Sequence, residues 1–190
     1  MAHFHWWAFF IGVILLRIEA VFLDRDGTIG GDGHFIHPDE FEPFENFYND
    51  IDKLKEKGIK IFSFTNQHRI SKGKVKIEDF KREFQSYGFT DTYICPHEMN
   101  SNCQCQKPKP GMLLQAAKEY GLNLSNCIVI GDVGTDMIAA NSVGAIKILV
   151  KTGWGKSSLG EYRYLWEDIE PNYIAEDISD ALTWLINKYY

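Results

Sequence analysis

The chain has 190 residues, 45% of them hydrophobic, which fits one domain and can build a full core. Its formal net charge of −6 argues against a nucleic-acid-binding surface, where a basic patch is expected. Of the four cysteines, Cys95, Cys103 and Cys105 crowd together around His97, which reads as metal ligation rather than disulfide bonding.

Residues 1–16 hold an apolar, aromatic-rich stretch from Phe4 to Leu16. It is short of the roughly 20 residues needed to cross a bilayer. It also lacks the basic start of a signal peptide. The expectation is that Leu15 or Leu16 is the natural start and that 1–15 is translated upstream sequence; a membrane anchor is the alternative. Residues 17–190 are expected to form a single domain.

Arg17–Leu23 predicts the first strand, and Gly30 to Phe47 a long loop rich in Gly, Pro and aromatics that suits substrate binding. A helical stripe begins at Ile51, Leu54 and Lys55 and stops at Gly58. Lys60–Thr65 is the second strand, and Ile77–Tyr87 a helix with Phe80 and Phe84 as core contacts. Thr92–Cys95 is a short third strand, and Gly111–Tyr120 a helix entered from Pro110 and closed by Gly121. Cys127–Gly131 is the fourth strand, with Cys127 a small core residue, Thr135–Val143 a helix, and Ala145–Val150 the fifth strand. Residues 152–172 read as loop with one short helix; Ile174 opens a last short strand, and Asp177 caps a helix through Ile186.

Strands separated by helices imply βαβ units and a parallel sheet, whose ligands sit at the carboxyl ends of the strands. Three such ends carry polar chemistry: Asp24 and Asp26, Thr65 and Asn66, Gly131 and Asp132. The stretch Val21-Phe22-Leu23-Asp24-Arg25-Asp26-Gly27-Thr28 is the centre of this pattern. Residues two apart share a strand face, so both carboxylates can reach one point. Two buried like charges are costly, and a divalent cation binding a phosphate would relieve them. A strand ending in an ordinary Asp-Gly turn reads the same way.

Asp24-Arg25-Asp26-Gly27-Thr28, Thr65-Asn66-Gln67, Lys107-Pro108-Lys109-Pro110-Gly111 and Gly131-Asp132 with Asp136 four residues on resemble, in order, the four motifs of the haloacid dehalogenase (HAD) superfamily. The resemblance covers about residues 17–187. The cysteine loop and the lack of a cap-sized insert make the chain look like subfamily IIIA, which holds heptose-bisphosphate and histidinol-phosphate phosphatases. The resemblance implies an α/β, HAD-like Rossmannoid fold: a central parallel sheet flanked by helices, capless, with a zinc-binding loop. It implies a hydrolase, a Mg²⁺-dependent phosphomonoesterase working through an aspartyl-phosphate on a small phosphorylated metabolite, a sugar phosphate or bisphosphate. Asp24 would be the nucleophile and Asp26 the general acid and base. The Asp24 carboxylate, the Asp26 backbone carbonyl and Asp132 would bind Mg²⁺.

Thr65 and Asn66 would donate hydrogen bonds to the phosphoryl oxygens, and Lys107 would supply the positive charge, with Lys109 as its substitute. Asp136 reads either as a group just outside the Mg²⁺ ligands or as an acidic residue favouring its own helix start. Cys95, His97, Cys103 and Cys105 satisfy tetrahedral, structural Zn²⁺. His68 and Arg69 stand where the subgroup has Ser-Gly, and Arg69 could contact substrate. Gln106 stands where the heptose phosphatases have Arg, which puts the heptose bisphosphate in question. His34, His37 and His68 read as surface or capping residues. A monomer in a reducing cytosol is expected, with no nucleic-acid or membrane partner. The competing readings are a histidinol-phosphate phosphatase, a DNA 3′-phosphatase, which the negative charge disfavours, and a non-catalytic zinc-stabilised binding domain, which the intact carboxylates disfavour.

Overall fold

The computed structural model describes residues 17–99 and 101–190, so the expectations for residues 1–16 lie outside the described residues. Six strands form one parallel sheet: β1 (Ala20–Leu23), β2 (Lys60–Asn66), β3 (Asp91–Cys95), β4 (Cys127–Gly131), β5 (Ile146–Val150) and β6 (Tyr173–Ala175), in the order β3-β2-β1-β4-β5-β6. All four residues of β1 are buried, because helices cover both faces, so it reads as an unbroken apolar run rather than an alternation. Val21 and Leu23 face one core with Ile61, Ile128, Ile130 and Ile148, beneath α1 (Phe47–Glu56), α2 (Ile77–Ser86) and α6 (Ile178–Tyr189). Ala20 and Phe22 face the other with Phe62, Phe64 and Val129, beneath α3 (Gly111–Tyr120) and α4 (Gly134–Ser142). Phe22 and Phe62 stack at 5.1 Å between ring centroids.

Several boundaries differ from expectation for local reasons. Strand β1 starts at Ala20 rather than Arg17, because its neighbours' ladders begin at Lys60 and Cys127. Helix α1 starts four residues before Ile51, where Asn46 takes a left-handed turn (φ 67°) that swings the buried Phe47 into the core. Residues 152–172 hold α5 (Gly155–Leu159) and a 3-10 turn, Arg163–Leu165. That segment is tied down by Trp166, whose Nε1 donates to Ser158 O at 3.1 Å. The Asp177 carboxylate accepts from Asp180 N–H at 2.9 Å, the N-cap foreseen for α6, which runs on to Tyr189.

The long loop after β1 contains only a 3-10 turn, Pro38–Glu40, and no cap domain rises from it. Among the described residues no helix is long and apolar enough to cross a membrane. The chain leaves β1 toward β2 on one side, while β4 lies on the other. The crevice at the carboxyl end of β1 is therefore the switch point of the sheet, where doubly wound folds bind ligands.

Candidate active site

Residues that leave β1 and β4 side by side meet at this crevice. Asp24, Asp132 and Asp136 are all buried, and each places a carboxylate oxygen within 4.8 Å of the others. One buried ammonium answers them: Lys107 Nζ lies 3.0 Å from Asp24 Oδ2 and donates to Asp136 Oδ1 at 2.6 Å. Burial works against the Lys107 charge, but Asp136 and Asp24 outweigh it and hold the group protonated. Asp132 is pushed well above the usual carboxylate range, first by burial and then by Asp24 and Asp136. Asp136 is raised to about 7, burial outweighing the pull of Lys107. Three carboxylates sharing one cation leave the pocket short of positive charge. That deficit, with donors that are all oxygen, is what a hard divalent cation fits.

Asp132 is fixed from behind. Its Oδ2 accepts from Trp154 N–H at 2.8 Å, Oδ1 from the Thr28 hydroxyl at 3.4 Å, and its backbone oxygen from Ser158 Oγ at 2.9 Å. Gly27 (φ 84°) and Gly153 (φ 53°) pass back to back beneath it, and a Cβ on Gly27 would come within 2.8 Å of Gly153 Cα. Only glycine serves at such a crossing. Asp136 accepts from its own helix-start Val133 N–H at 3.2 Å, the second of its expected characters, and also from Lys107.

Asp26 is set apart from that trio. Its Oδ1 accepts from Arg25 Nη1 and its Oδ2 from Gln67 Nε2 at 2.6 Å. Burial raises its pKa against the opposing Arg25 and Gln67. Gln67 Nε2 also reaches Thr65 Oγ1 at 3.1 Å, which keeps the Thr65 hydroxyl aimed at the cleft. Asn66 accepts from Lys107 N–H at 3.1 Å, linking the β2 loop to the lysine loop.

Asp24, Asp26, Thr65, Asn66, Lys107 and Asp132 all border one cleft of about 190 Å³. Arg69 and His68 border it too, and the Arg69 guanidinium lies over the Phe35 ring at 4.8 Å. Arg69 Nε is buried without a hydrogen-bond partner among the described residues. Burial lowers the His68 pKa, with Lys72 and Arg69 adding to it. The structure places Gln106 and Lys109 elsewhere, on an adjacent depression with Asn102 and Pro108. The Lys109 ammonium is spent on the loop itself, donating to Asn102 Oδ1 at 2.7 Å and to the Asn102 and Cys103 carbonyls at 3.1 Å. His37 caps the 3-10 turn by accepting from Asp39 N–H at 3.3 Å, and the exposed His34 lies 5.2 Å from the Trp154 ring.

Sequence reasoning missed Gln67 as a partner of Asp26, Trp154 as a partner of Asp132, and the Arg25–Glu83 pair described below. Gln67 was visible within its motif; Trp154 lay in a stretch with no periodic signal.

Beside the cleft, Cys95, His97, Cys103 and Cys105 offer ligand atoms within 4.8 Å of one another. Four of the pairs among them (Cys95–His97, Cys95–Cys103, Cys105–His97 and Cys105–Cys103) lie 3.2–3.6 Å apart. Three sulfurs and one nitrogen so placed suit a closed tetrahedral site. Lys107 follows Cys105 after a single residue, so the cluster anchors the loop that delivers the lysine.

A HAD-hydrolase-like family model matches residues 104–181. A D-glycero-beta-D-manno-heptose-1,7-bisphosphate 7-phosphatase of Vibrio cholerae is 34% identical over 160 residues, covering 75% of this chain and 86% of that protein. The protein of the same name from Pasteurella multocida is 33% identical over 180 residues, covering 85% and 94%. The fold is similar to a crystal structure of D,D-heptose 1,7-bisphosphate phosphatase from B. bronchiseptica complexed with magnesium and phosphate, at a TM-score of 0.76 and 25% identity over 89% of this chain and 98% of that one.

Proposed function

The chain belongs to the HAD-like phosphatases and is a phosphoric monoester hydrolase, and from that premise we propose that it cleaves a phosphorylated sugar, a bisphosphate or monophosphate, through an aspartyl-phosphate on Asp24. The observation that carries this reading is the meeting of Asp24, Asp26, Lys107 and Asp132 in a single cleft. An Asp24 carboxylate oxygen forms a bond to phosphorus as the ester P–O bond breaks. Asp26, whose raised pKa favours the acid form, gives its proton to the departing alcohol oxygen. Water then attacks phosphorus, loses a proton to Asp26, and the Asp24–phosphorus bond breaks to release inorganic phosphate.

Lys107 balances the negative charge of the phosphoryl group, and Thr65 and Asn66 orient its oxygens. The Asp24 and Asp132 carboxylates with the Asp26 backbone oxygen would hold Mg²⁺, which when bound draws charge from the phosphoryl oxygens. Asp136 serves the site through Lys107. A screen of phosphorylated sugars with and without Mg²⁺ tests the reading; no phosphate release from any of them with Mg²⁺ present would end it.

Substrate choice is assigned to Arg69. Its guanidinium borders the cleft with a buried Nε that is unpaired among the described residues, whereas Gln106 lies outside. Arginine grips a phosphate through a planar, charged fork. A hydrogen bond to a charged group contributes about 1.5–3 kcal/mol, which is roughly ten- to a hundredfold in kcat/KM. Arg69→Ala is therefore expected to lower kcat/KM for a sugar bisphosphate by that factor and to change a monophosphate little. Gln106→Arg should leave both nearly unaltered. A wild-type preference for bisphosphate that survives Arg69→Ala would refute the assignment.

The Cys95, His97, Cys103 and Cys105 cluster is assigned to structural Zn²⁺. About one zinc per chain is expected by elemental analysis. Cys103→Ser should lose that metal, loosen residues 95–106 and reduce activity through a misplaced Lys107. Protein prepared without chelator and free of zinc would contradict this.

A further inference from the structure

The largest fully buried side chain among the described residues is a cation, Arg25; the next largest are all Phe, Ile and Leu. Burying a guanidinium is costly, and an apolar side chain of similar volume would fill the space more cheaply. Its contacts suggest why it is retained. Arg25 Nε donates to both oxygens of Glu83, at 2.9 and 3.1 Å, and Nη1 donates to Asp26 Oδ1. The guanidinium lies 3.7 Å from the Phe41 ring centroid and 5.2 Å from that of Phe80. Nη2 has no hydrogen-bond partner among the described residues. Glu83 Oε1 also accepts from the Tyr87 hydroxyl at 3.3 Å.

We propose that Arg25, clamped by Glu83 on α2 and stacked on Phe41, is a positioning residue that fixes the Asp26 carboxyl for proton transfer, with Gln67 holding its other oxygen. The proposal rests on the reading of Asp26 as general acid and base. Helix α2 contributes no residue to the cleft, and its buried face reaches the chemistry through Glu83 and this chain of contacts. Gripped from both sides, the Asp26 carboxyl cannot rotate away from the departing oxygen, and a displacement of about 1 Å can cost about a hundredfold in rate.

The test compares two esters in single turnover with enzyme in excess: glycerol 3-phosphate, whose alkoxide must be protonated as it leaves, and p-nitrophenyl phosphate, whose phenolate needs no proton. Glu83→Gln keeps the volume and one acceptor but removes the charge that orients Arg25; Arg25→Lys keeps a charge but cannot bond Glu83 and Asp26 together. Each variant should slow phosphoryl transfer from the alkyl ester about a hundredfold, and transfer from the aryl ester less than about fivefold. In an Asp26→Asn background Glu83→Gln should add almost nothing, as expected of groups that act as one unit. Equal losses on both esters, or no loss on either, in a variant with an intact melting transition would overturn the proposal. Asp26→Asn alone separates the two levels. If it slows both esters alike, the general-acid reading fails. If it discriminates between them while Glu83→Gln does not, only the positioning role fails.

Discussion

Asp24→Asn will lower kcat by at least about a thousandfold while leaving the melting temperature unchanged or higher. An amide has no charged oxygen to attack phosphorus, and loss of one essential group commonly costs that much or more. The structural side of the expectation comes from crowding. Asp24 adds its charge to a pocket that already holds Asp132 and Asp136, and it raises the pKa of both. Removing one negative charge relieves that repulsion, while Lys107 keeps Asp136 as a partner at 2.6 Å. Phosphate release from an alkyl ester and a thermal melt in buffer without added Mg²⁺ are the two measurements. Retention of more than about a thousandth of the wild-type rate would remove Asp24 from the nucleophile's place.

Lys107→Met will damage both rate and stability. The side chain is of similar length, so the volume is kept and the charge is lost. Activity should fall at least about a hundredfold, in line with removal of one group aimed at developing charge. Asp136, fully buried, then loses its cation. Breaking a buried pair from one side costs about 3–5 kcal/mol. The loss will depend on pH. With Lys107 present the Asp136 pKa is already raised from 3.8 to about 7. Without Lys107 it rises further. Between the unfolded and folded pKa values the native state keeps a proton that the unfolded chain has released, so native stability declines as pH rises through this interval. Denaturant melts without added Mg²⁺ should therefore show a larger deficit for Lys107→Met at pH 8 than at pH 5. A deficit that is flat across this range would mean that Asp136 is not the group left exposed to the loss.

The parallel sheet and the convergence of strand ends were legible in the sequence because both depend on local signals. The apolar runs Ala20–Leu23 and Cys127–Gly131 are buried on both faces, so each stands out as a continuous run, and Ile146–Val150 reads almost the same with only the half-buried Lys147 interrupting it. The carboxylates follow such runs directly, and the position after a strand is enough to place them. What the sequence did not disclose were partnerships between distant polar groups. Glu83 sits between the core residues Phe80 and Phe84, on a helix whose apolar spacing explains itself without it. Its meaning lies in Arg25, 58 residues earlier. Trp154 acts through a backbone N–H, which no side-chain pattern reports. The spacing to Pro108 and Pro110 favoured Lys107 over Lys109 in the sequence but did not show what Lys109 does instead. The bond to Asn102 shows that the Lys109 ammonium ties down the loop while Lys107 enters the cleft.

The central place of β1 also governs the order in which this molecule can assemble. Its ladder partners are β2 and β4, and β4 begins only at Cys127. During synthesis the Ala20–Leu23 segment must wait, with one edge unpaired, until most of the chain has left the ribosome. The loop that brings Thr28 to Asp132 closes over 104 residues, an entropic cost met before the β4 side of the crevice forms. Long-range parallel pairing of this kind folds slowly and leaves apolar edges open to other chains in the meantime. The first half, β1 with β2 and β3, can pair early and shield one edge of β1. The catalytic crevice, which needs both edges, is completed last.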